Sequence, residues 1–367
     1  MELISGRHPL VIVVGSGGVG KTTLAGALGV LSAREGRDTL VMTFDPSLRL
    51  KQTLGVGEEA KLREVPVALD APGALHASLL DARLTFDRLI ERYAPDEDSR
   101  RRVLENRFYQ HLSGTLGGIL EYMAVERLFE VAADGRYAQV VLDTPPTRQA
   151  LDFLEAPRRI VGFLESGALR VALKPWFDEE GRLKAASRWG ALGRRAERFL
   201  DEVVGMDLLR DMAEFFQAFG PLYEGFRNRA LEVEEMLRSP QTLFVLVAGP
   251  GEERIPDTLF FARRLEEAGY NLGPIVVNRV HPRFLLDGAP PPSADLCQPN
   301  GWELLTWAGE RDRRGLVELA KLLSREQPLV DVPLLPDEPT DFPALEALGR
   351  TFEARLAEWE RYVSRTS

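Results

Sequence analysis

The fold is decided by the stretch Gly15-Ser16-Gly17-Gly18-Val19-Gly20-Lys21-Thr22, which matches the pattern G-x-x-x-x-G-K-[ST]. Before it, residues 10–14 are apolar and mostly β-branched, which is typical of a strand buried on both faces of a parallel sheet. After it, residues 21–35 have the pattern of a helix that stops at Gly36. A glycine-rich loop in this setting presents backbone N–H groups and a helix N-terminus to an anion. The sequence therefore predicts a phosphate-binding loop.

This loop carries side chains that suit a nucleotide with Mg²⁺. Lys21 is predicted to bridge the β- and γ-phosphates, and the Thr22 hydroxyl is predicted to ligate Mg²⁺. Thr23 is placed to bond the α-phosphate. The alternative is a glycine-rich turn with an incidental lysine, but the flanking strand and helix are the context that the motif requires. The predicted binding residues therefore include the backbone groups of Gly17, Gly18, Val19 and Gly20.

Short buried strands alternate with helices along the chain, which is typical of a parallel sheet with helices on both faces. The sequence predicts an α/β fold, a doubly wound and mostly parallel sheet of the P-loop NTPase class, in a single domain 1–367. Helical insertions are predicted at about 75–130 and 152–238, the first from amphipathic leucine spacing. Residues 282–300, rich in Pro and with few apolar residues, are predicted to form a surface loop. The other predicted elements are strands at 39–44, 138–142, 243–247 and 275–277 and a final helix at 342–363.

Two aspartates end buried strands and are candidates for the chemistry. Asp143 follows the apolar run 140–142 and is predicted to hold Mg²⁺ through a water. Asp45 follows the strand 39–44, where its carboxylate can orient or deprotonate the attacking water. For both residues the alternative is a turn aspartate, and for Asp45 also a helix N-cap before Pro46.

Composition excludes several classes of function. A net charge of −10 gives no basic field for nucleic acid or anionic lipid. One cysteine, Cys297, excludes internal disulfides and multi-thiolate metal sites, and four scattered histidines disfavour a zinc enzyme. The N-terminus lacks a signal peptide pattern, and no uncharged apolar stretch reaches the roughly 18 residues of a membrane-spanning helix. We expect a cytoplasmic protein without stable membrane insertion.

Four segments, in this order and spacing, resemble the arsenite-pump ATPase and tail-anchored-protein targeting ATPase family, which is related to MinD and ParA. They are residues 15–23, 44–47, 142–147 and 276–280. The segment 333–336, which includes Pro336, is similar to that family's last loop on the nucleotide side. The resemblance implies ATP and Mg²⁺, a dimer, and two switch aspartates, with Asp45 positioning the attacking water. It also implies that Asn278 binds adenine, because the side-chain amide offers both a donor and an acceptor. The alternative is a turn residue, since asparagine often follows a strand in that role.

The sequence departs from this family at two kinds of position. The family's loop usually carries a lysine where this chain has Ser16, and that lysine reaches the partner's phosphates across the dimer. A serine supplies no positive charge, so we expect a homodimer to hydrolyse ATP slowly. One cysteine cannot build the family's metalloid site or its zinc pair, so we reject arsenite transport and a zinc-clamped dimer for this chain.

Two hypotheses for the function remain. In the first, the chain is an ATPase switch whose helical insertions handle a protein client. A Phe-rich helical stripe at 208–226 is the candidate client groove, with core packing as its alternative, and Glu121 is a candidate coupling residue. In the second, the chain is an ATP-binding, poorly hydrolysing regulatory or scaffold subunit, paired in a heterodimer with a lysine-bearing paralogue.

Overall fold

The computed structural model describes residues 8–44, 54–94, 96–106, 119–145, 147–165, 223–283 and 301–366. Its strands are β1 Leu10–Gly15, β2 Thr39–Thr43, β3 Val65–Pro66, β4 Leu75–Leu79, β5 Gln139–Asp143, β6 Thr242–Ala248, β7 Leu272–Val280 and β8 Leu329–Pro333. Its α-helices are α1 Lys21–Arg34, α2 Ala82–Tyr93, α3 Glu97–Leu104, α4 Ile119–Asp134, α5 Thr147–Glu165, α6 Tyr223–Arg238, α7 Ile255–Glu267, α8 Gly301–Leu322 and α9 Phe342–Thr366.

The eight strands form one sheet in the order β3-β4-β2-β5-β1-β6-β7-β8. Every pairing in it is parallel except that of β3 with β4. The predicted α/β fold with a mostly parallel sheet is therefore confirmed. Because parallel strands end at the same edge of the sheet, the carboxyl ends of β1, β2, β5, β6 and β7 share one edge.

The core of the sheet explains the apolar runs in the sequence. All six residues of β1 are buried, since β1 lies between β5 and β6 and is covered by helices. Helix α1 is apolar nearly all round, and α9 packs against it so closely that a Cβ on Gly349 would lie 3.1 Å from the Ala27 carbonyl. This packing fixes the helix whose first turn follows the glycine-rich loop.

The chain divides into two compact units. The first, here the sheet unit, comprises Met1–Leu80, Glu130–Leu151 and Met236–Ser367. The second, here the helical unit, comprises Asp81–Phe129 and Asp152–Glu235. In the helical unit a buried ion pair joins α6 to α4, because the Arg229 Nε donates to Glu126 Oε1 at 2.6 Å.

One boundary of the sequence interpretation is wrong. Residues 75–79 were assigned to a helical insertion, but they form β4 and pair with β2 in parallel. Leu75 and Leu79 are four residues apart, a spacing that places them on one face of a helix and equally on one face of a strand. The antiparallel partner β3 and the last strand β8 were not predicted at all.

Among the helices of the described residues, none is both long and apolar enough to cross a membrane.

Candidate functional site

The glycine-rich loop connects the end of β1 to the first residue of α1. Gly20 caps α1 with φ 97°, a left-handed conformation that favours glycine. A Cβ at Gly20 would also lie 2.3 Å from Nδ2 of Asn278, so a larger residue fits only if that amide moves away. The first backbone N–H groups of α1 therefore meet the loop at a helix N-terminus, which is an anion-binding arrangement.

Lys21 stands at the first position of α1 and is only 7% exposed. Its Nζ donates a hydrogen bond to the backbone carbonyl of Ser16 at 2.9 Å. The ammonium group therefore crosses the loop from its helix end to its strand end. In this place it adds a positive charge to the backbone N–H groups of the loop.

The Asp143 carboxylate accepts hydrogen bonds from two hydroxyls at the carboxyl edge of the sheet. Thr22 donates to Oδ2 of Asp143 at 2.7 Å, and Thr43 donates to the same oxygen at 2.9 Å. Asp143 is completely buried and ends β5, whose neighbours β1 and β2 place Val13 and Thr43 beside it. A carboxylate and hydroxyl oxygens are the donor types that Mg²⁺ prefers, so these residues fit a magnesium site.

The backbone after β5 is tied to the two neighbouring strands. The Thr144 hydroxyl donates to the Val13 carbonyl at 2.8 Å, and the Phe44 N–H donates to the Asp143 carbonyl at 3.3 Å. The segment leaving Asp143 therefore starts from a fixed position beside the glycine-rich loop.

The end of β7 reaches the same loop from the other side. Asn278 is buried, and its Nδ2 donates to the carbonyl of Val19 at 2.8 Å. Arg279 donates from its guanidinium to the carbonyl of Gly18 at 3.1 Å. Its backbone has φ 63°, which costs a non-glycine residue about 1 kcal/mol. Two consecutive side chains of one strand end are therefore bonded to two consecutive carbonyls of the loop.

A buried carboxylate on α8 holds the backbone that follows β7. Oδ2 of Asp312 accepts hydrogen bonds from the backbone N–H of His281 at 3.0 Å and from its Nδ1 at 2.7 Å. The other oxygen accepts two bonds from the guanidinium of Arg311, at 3.0 and 2.8 Å. Burial acts to raise the pKa of Asp312, but the hydrogen bonds from His281 and Arg311 outweigh it and lower that pKa below its usual range.

Pro336 lies on an exposed loop just after β8. The loop begins at the same sheet edge, because the Leu334 N–H donates to the carbonyl of Val280 at 2.8 Å. A long ion pair of 3.8 Å joins Arg279 to Glu338 of this loop. The loop that contains Pro336 is thus bonded at its first residue to the end of the strand that carries Asn278.

Several predicted residues lie outside the described ranges. They are Asp45, Cys297, residues 208–222 of the Phe-rich stripe and nearly all of the loop 282–300. Glu121 lies in α4, in a part where the side chains are not described. Within the described residues no group of three or more His, Cys, Asp or Glu side chains is arranged to hold a metal ion.

Sequence reasoning missed three residues of this region: Thr43, Arg279 and Asp312. Thr43 had a usable signal, since it lies next to the end of the predicted strand 39–44, as Asp143 lies next to the end of 138–142. Arg279 directly follows Asn278, but its unusual φ has no signature in the sequence. Asp312 looked like one acidic residue in a charged helix, and only the packing of α8 shows that it is buried.

Comparisons with known proteins show that the chain is similar to a family of ATPases. Residues 8–186 match the model of the family described as anion-transporting ATPase. The putative arsenical pump-driving ATPase 1 of Aquifex aeolicus is 23% identical over 93% of this chain and 78% of its own length. ATPase GET3A of Arabidopsis thaliana is 24% identical over 93% of this chain and 83% of its own. ATPase GET3 of Zygosaccharomyces rouxii is 25% identical over 60% of this chain and 67% of its own.

Proposed function

We propose that this chain is a Mg²⁺-dependent dimeric switch. It is an ATPase of the arsenite-pump ATPase and tail-anchored-protein targeting ATPase family. It hydrolyses ATP to ADP and phosphate, and the opening and closing of the dimer is coupled to a protein partner. The observation that carries the proposal is the pair of hydroxyls, Thr22 and Thr43, held on the buried Asp143 carboxylate directly below the glycine-rich loop.

The phosphates of ATP bind at the loop and the first turn of α1. Backbone N–H groups face the phosphates, Lys21 supplies a cation, and Thr23 bonds the α-phosphate. Thr22 would hold Mg²⁺ with its hydroxyl, and Asp143 would hold it through a water. When bound, Mg²⁺ neutralises the charge that develops on the transferred phosphoryl group. The residues that contribute backbone groups are Gly17, Gly18, Val19 and Gly20.

Adenine binds at the end of β7, next to Pro336. Asn278 uses one amide hydrogen on Val19, which leaves its second hydrogen and its carbonyl oxygen to read the base. Catalysis needs in addition a carboxylate that orients the attacking water, and we assign this task to Asp45.

A second copy of the chain, or a paralogue, closes over the phosphates. The crest of the loop, Gly17 and Gly18, is exposed, so that a partner subunit can approach it. We further propose that the chain is one P-loop NTPase domain into which the helical unit is inserted, and that this unit contacts the protein client. The net charge of −10 disfavours nucleic acid as that client.

The compactness of the dimer in solution tests the switch. Small-angle X-ray scattering of the wild-type chain with Mg²⁺ and a non-hydrolysable ATP analogue is expected to give a smaller radius of gyration than the one measured with ADP. Lys21→Ala is expected to keep the larger radius with both nucleotides, since the cation that meets the phosphates is gone. A radius of gyration that is the same with ADP and with the analogue contradicts the switch.

The heterodimer is the second candidate, and Ser16 favours it because a serine brings no positive charge to a partner's site. Its test is Ser16→Lys. If the chain works only with a lysine-bearing paralogue, this variant alone is expected to raise ATP turnover by about 100-fold. An ATP turnover of Ser16→Lys equal to that of the wild type contradicts the heterodimer hypothesis.

A further inference from the structure

One face of α8 is built to approach the ends of two strands closely. Gly309, Asp312 and Gly315 are three residues apart and all buried, so they share one face of the helix. A Cβ at Gly309 would lie 2.5 Å from the carbonyl of Pro282. At Gly315 it would lie 3.0 Å from the Cα of Gly251, just after β6. Only glycine at these two positions lets the helix lie this close.

Asp312 is the polar residue between these two glycines. A carboxylate buried in this way costs several kcal/mol unless hydrogen bonds compensate. The donors that compensate are the His281 backbone, the His281 ring and the neighbouring Arg311. The His281 bonds fix the chain one residue past the end of β7.

The fixed backbone lies two and three residues from the side chains that bond the glycine-rich loop. Arg279 bonds the carbonyl of Gly18, and Asn278 bonds that of Val19. The left-handed backbone of Arg279 is unfavourable by itself, so the contacts on either side must maintain it. Val280 and His281 provide those contacts on one side, through β8 and through Asp312.

We propose that Asp312 is a positioning residue for ATP binding, which holds the end of β7 so that Asn278 and Arg279 stay on the glycine-rich loop. The inference rests on the proposed adenine contact of Asn278. Asp312 itself does not touch the nucleotide, and its effect passes through His281. The residue therefore determines affinity for ATP and the preference for ATP over GTP, with little influence on the rate of the chemical step.

Steady-state kinetics of three variants test this proposal: Asp312→Asn, Asn278→Ala and the double variant. Asp312→Asn is expected to raise KM for ATP about 10-fold, with kcat within about 2-fold of the wild type, because hydrogen bonds to a buried charge are lost. In the Asn278→Ala background, Asp312→Asn is expected to raise KM by no more than about 2-fold, since the residue through which it acts is gone. Glu318→Gln, an exposed carboxylate on the same helix, is the control and leaves KM unchanged.

Two results overturn the inference. One is a KM for Asp312→Asn equal to that of Glu318→Gln. The other is a double variant in which the two increases multiply, because independent effects mean that Asp312 does not act through Asn278. If Asn278→Ala alone leaves KM unchanged, the proposed adenine contact is wrong instead, so the two failures are distinguishable.

A milder variant covers the case in which Asp312→Asn does not fold, as judged by its thermal unfolding. His281→Ala removes the ring donor and keeps the backbone bond to Asp312. It is expected to raise KM for ATP about 3-fold, and this increase is expected to vanish in the Asn278→Ala background. A KM equal to that of the wild type contradicts the proposal.

Discussion

The two sides of the glycine-rich loop are built in different ways. On the side proposed to bind the phosphates, here the phosphate side, Lys21 and Thr22 belong to one contiguous motif, and Asp143 and Thr43 come from adjacent parallel strands that end at the same level. On the side proposed to bind adenine, here the base side, Asn278 and Arg279 come from the end of β7. The backbone that follows them is bonded to Asp312 of α8, more than 30 residues further along the chain. The phosphate side thus follows from one contiguous motif and from the register of two parallel strands, whereas the base side depends on the packing of a helix against the strand ends.

Because of this difference, variants on the two sides are expected to change different kinetic constants. The phosphate side holds the groups that meet developing charge, so its variants should lower kcat. The base side holds groups that meet the substrate equally in the ground and transition states, so its variants should raise KM. Variants that break this division would contradict the comparison.

The largest effect is expected for Asp143→Asn. The amide keeps the shape of the side chain but removes the negative charge that accepts the Thr22 hydroxyl and that, in the proposed function, would hold Mg²⁺. We expect kcat for ATP to fall about 100-fold or more. Asp331→Asn, the same change on β8 of the same sheet, is the control and should leave kcat unchanged. A fall of less than about 3-fold for Asp143→Asn would mean that this carboxylate does not act in hydrolysis.

Gly20 lies where the phosphate side and the base side meet, so Gly20→Ala is expected to affect both. The new Cβ would strike the Asn278 amide, and φ 97° is unfavourable for alanine. We expect KM for ATP to rise about 30-fold and the protein to lose more than about 1 kcal/mol of stability.

Gly269→Ala separates the two causes, because Gly269 also has a positive φ, of 77°, but open space around its Cβ position. It should lose about 1 kcal/mol of stability and keep its KM. An equal KM for the two alanine variants would show that the close approach of Asn278 to Gly20 has no role in binding.

Asn278→Ala should raise KM for ATP about 10-fold and reduce the preference for ATP over GTP, with kcat nearly unchanged. Asn271→Ala is a matched control just before the start of β7. The Asn271 amide also donates to a backbone carbonyl, that of Pro240, at 3.1 Å. The preference is measured as the ratio of kcat/KM for the two nucleotides. If the ratio is the same in both variants, the base is read elsewhere.

The smallest effect concerns pH and the buried Asp312. Its pKa is lower in the folded state than the ordinary value of about 4, so ionised Asp312 stabilises the fold above that pH. The stabilisation is lost as the pH falls through the lowered pKa. The melting temperature of the wild type should exceed that of Asp312→Asn by a constant few degrees from about pH 5 to 8. This gap should shrink below about pH 4, and a gap that persists unchanged at about pH 3 would contradict the account.

Much of the sheet was predictable from the sequence. The strands around residues 10–14, 39–44, 138–142, 243–247 and 275–277, the first helix and the final helix are confirmed within a few residues. Their apolar runs are continuous because they are buried on both faces. β4 was mistaken for helix since its leucine spacing suits either structure, and β8 was missed because its residues are only partly apolar and partly buried.

The resemblance to this family of ATPases was also predictable, and the comparisons confirm the resemblance. The side-chain contacts of the site were less so. The sequence identifies Asp143 as a strand end, but the bond of Thr43 to it depends on the register of β2 against β5. The burial of Asp312 depends on two glycines that admit α8 to the strand ends, a relation between segments that periodicity does not reveal.

Steady-state ATP hydrolysis by the purified chain and by Lys21→Ala decides whether the glycine-rich loop is the ATPase site. If hydrolysis occurs at this loop, Mg²⁺-dependent turnover is expected to fall about 100-fold or more in Lys21→Ala. Lys61→Ala, a surface lysine paired with Glu58, should keep the wild-type rate. Wild-type turnover in Lys21→Ala would contradict the account, because the ATPase site would then lie elsewhere.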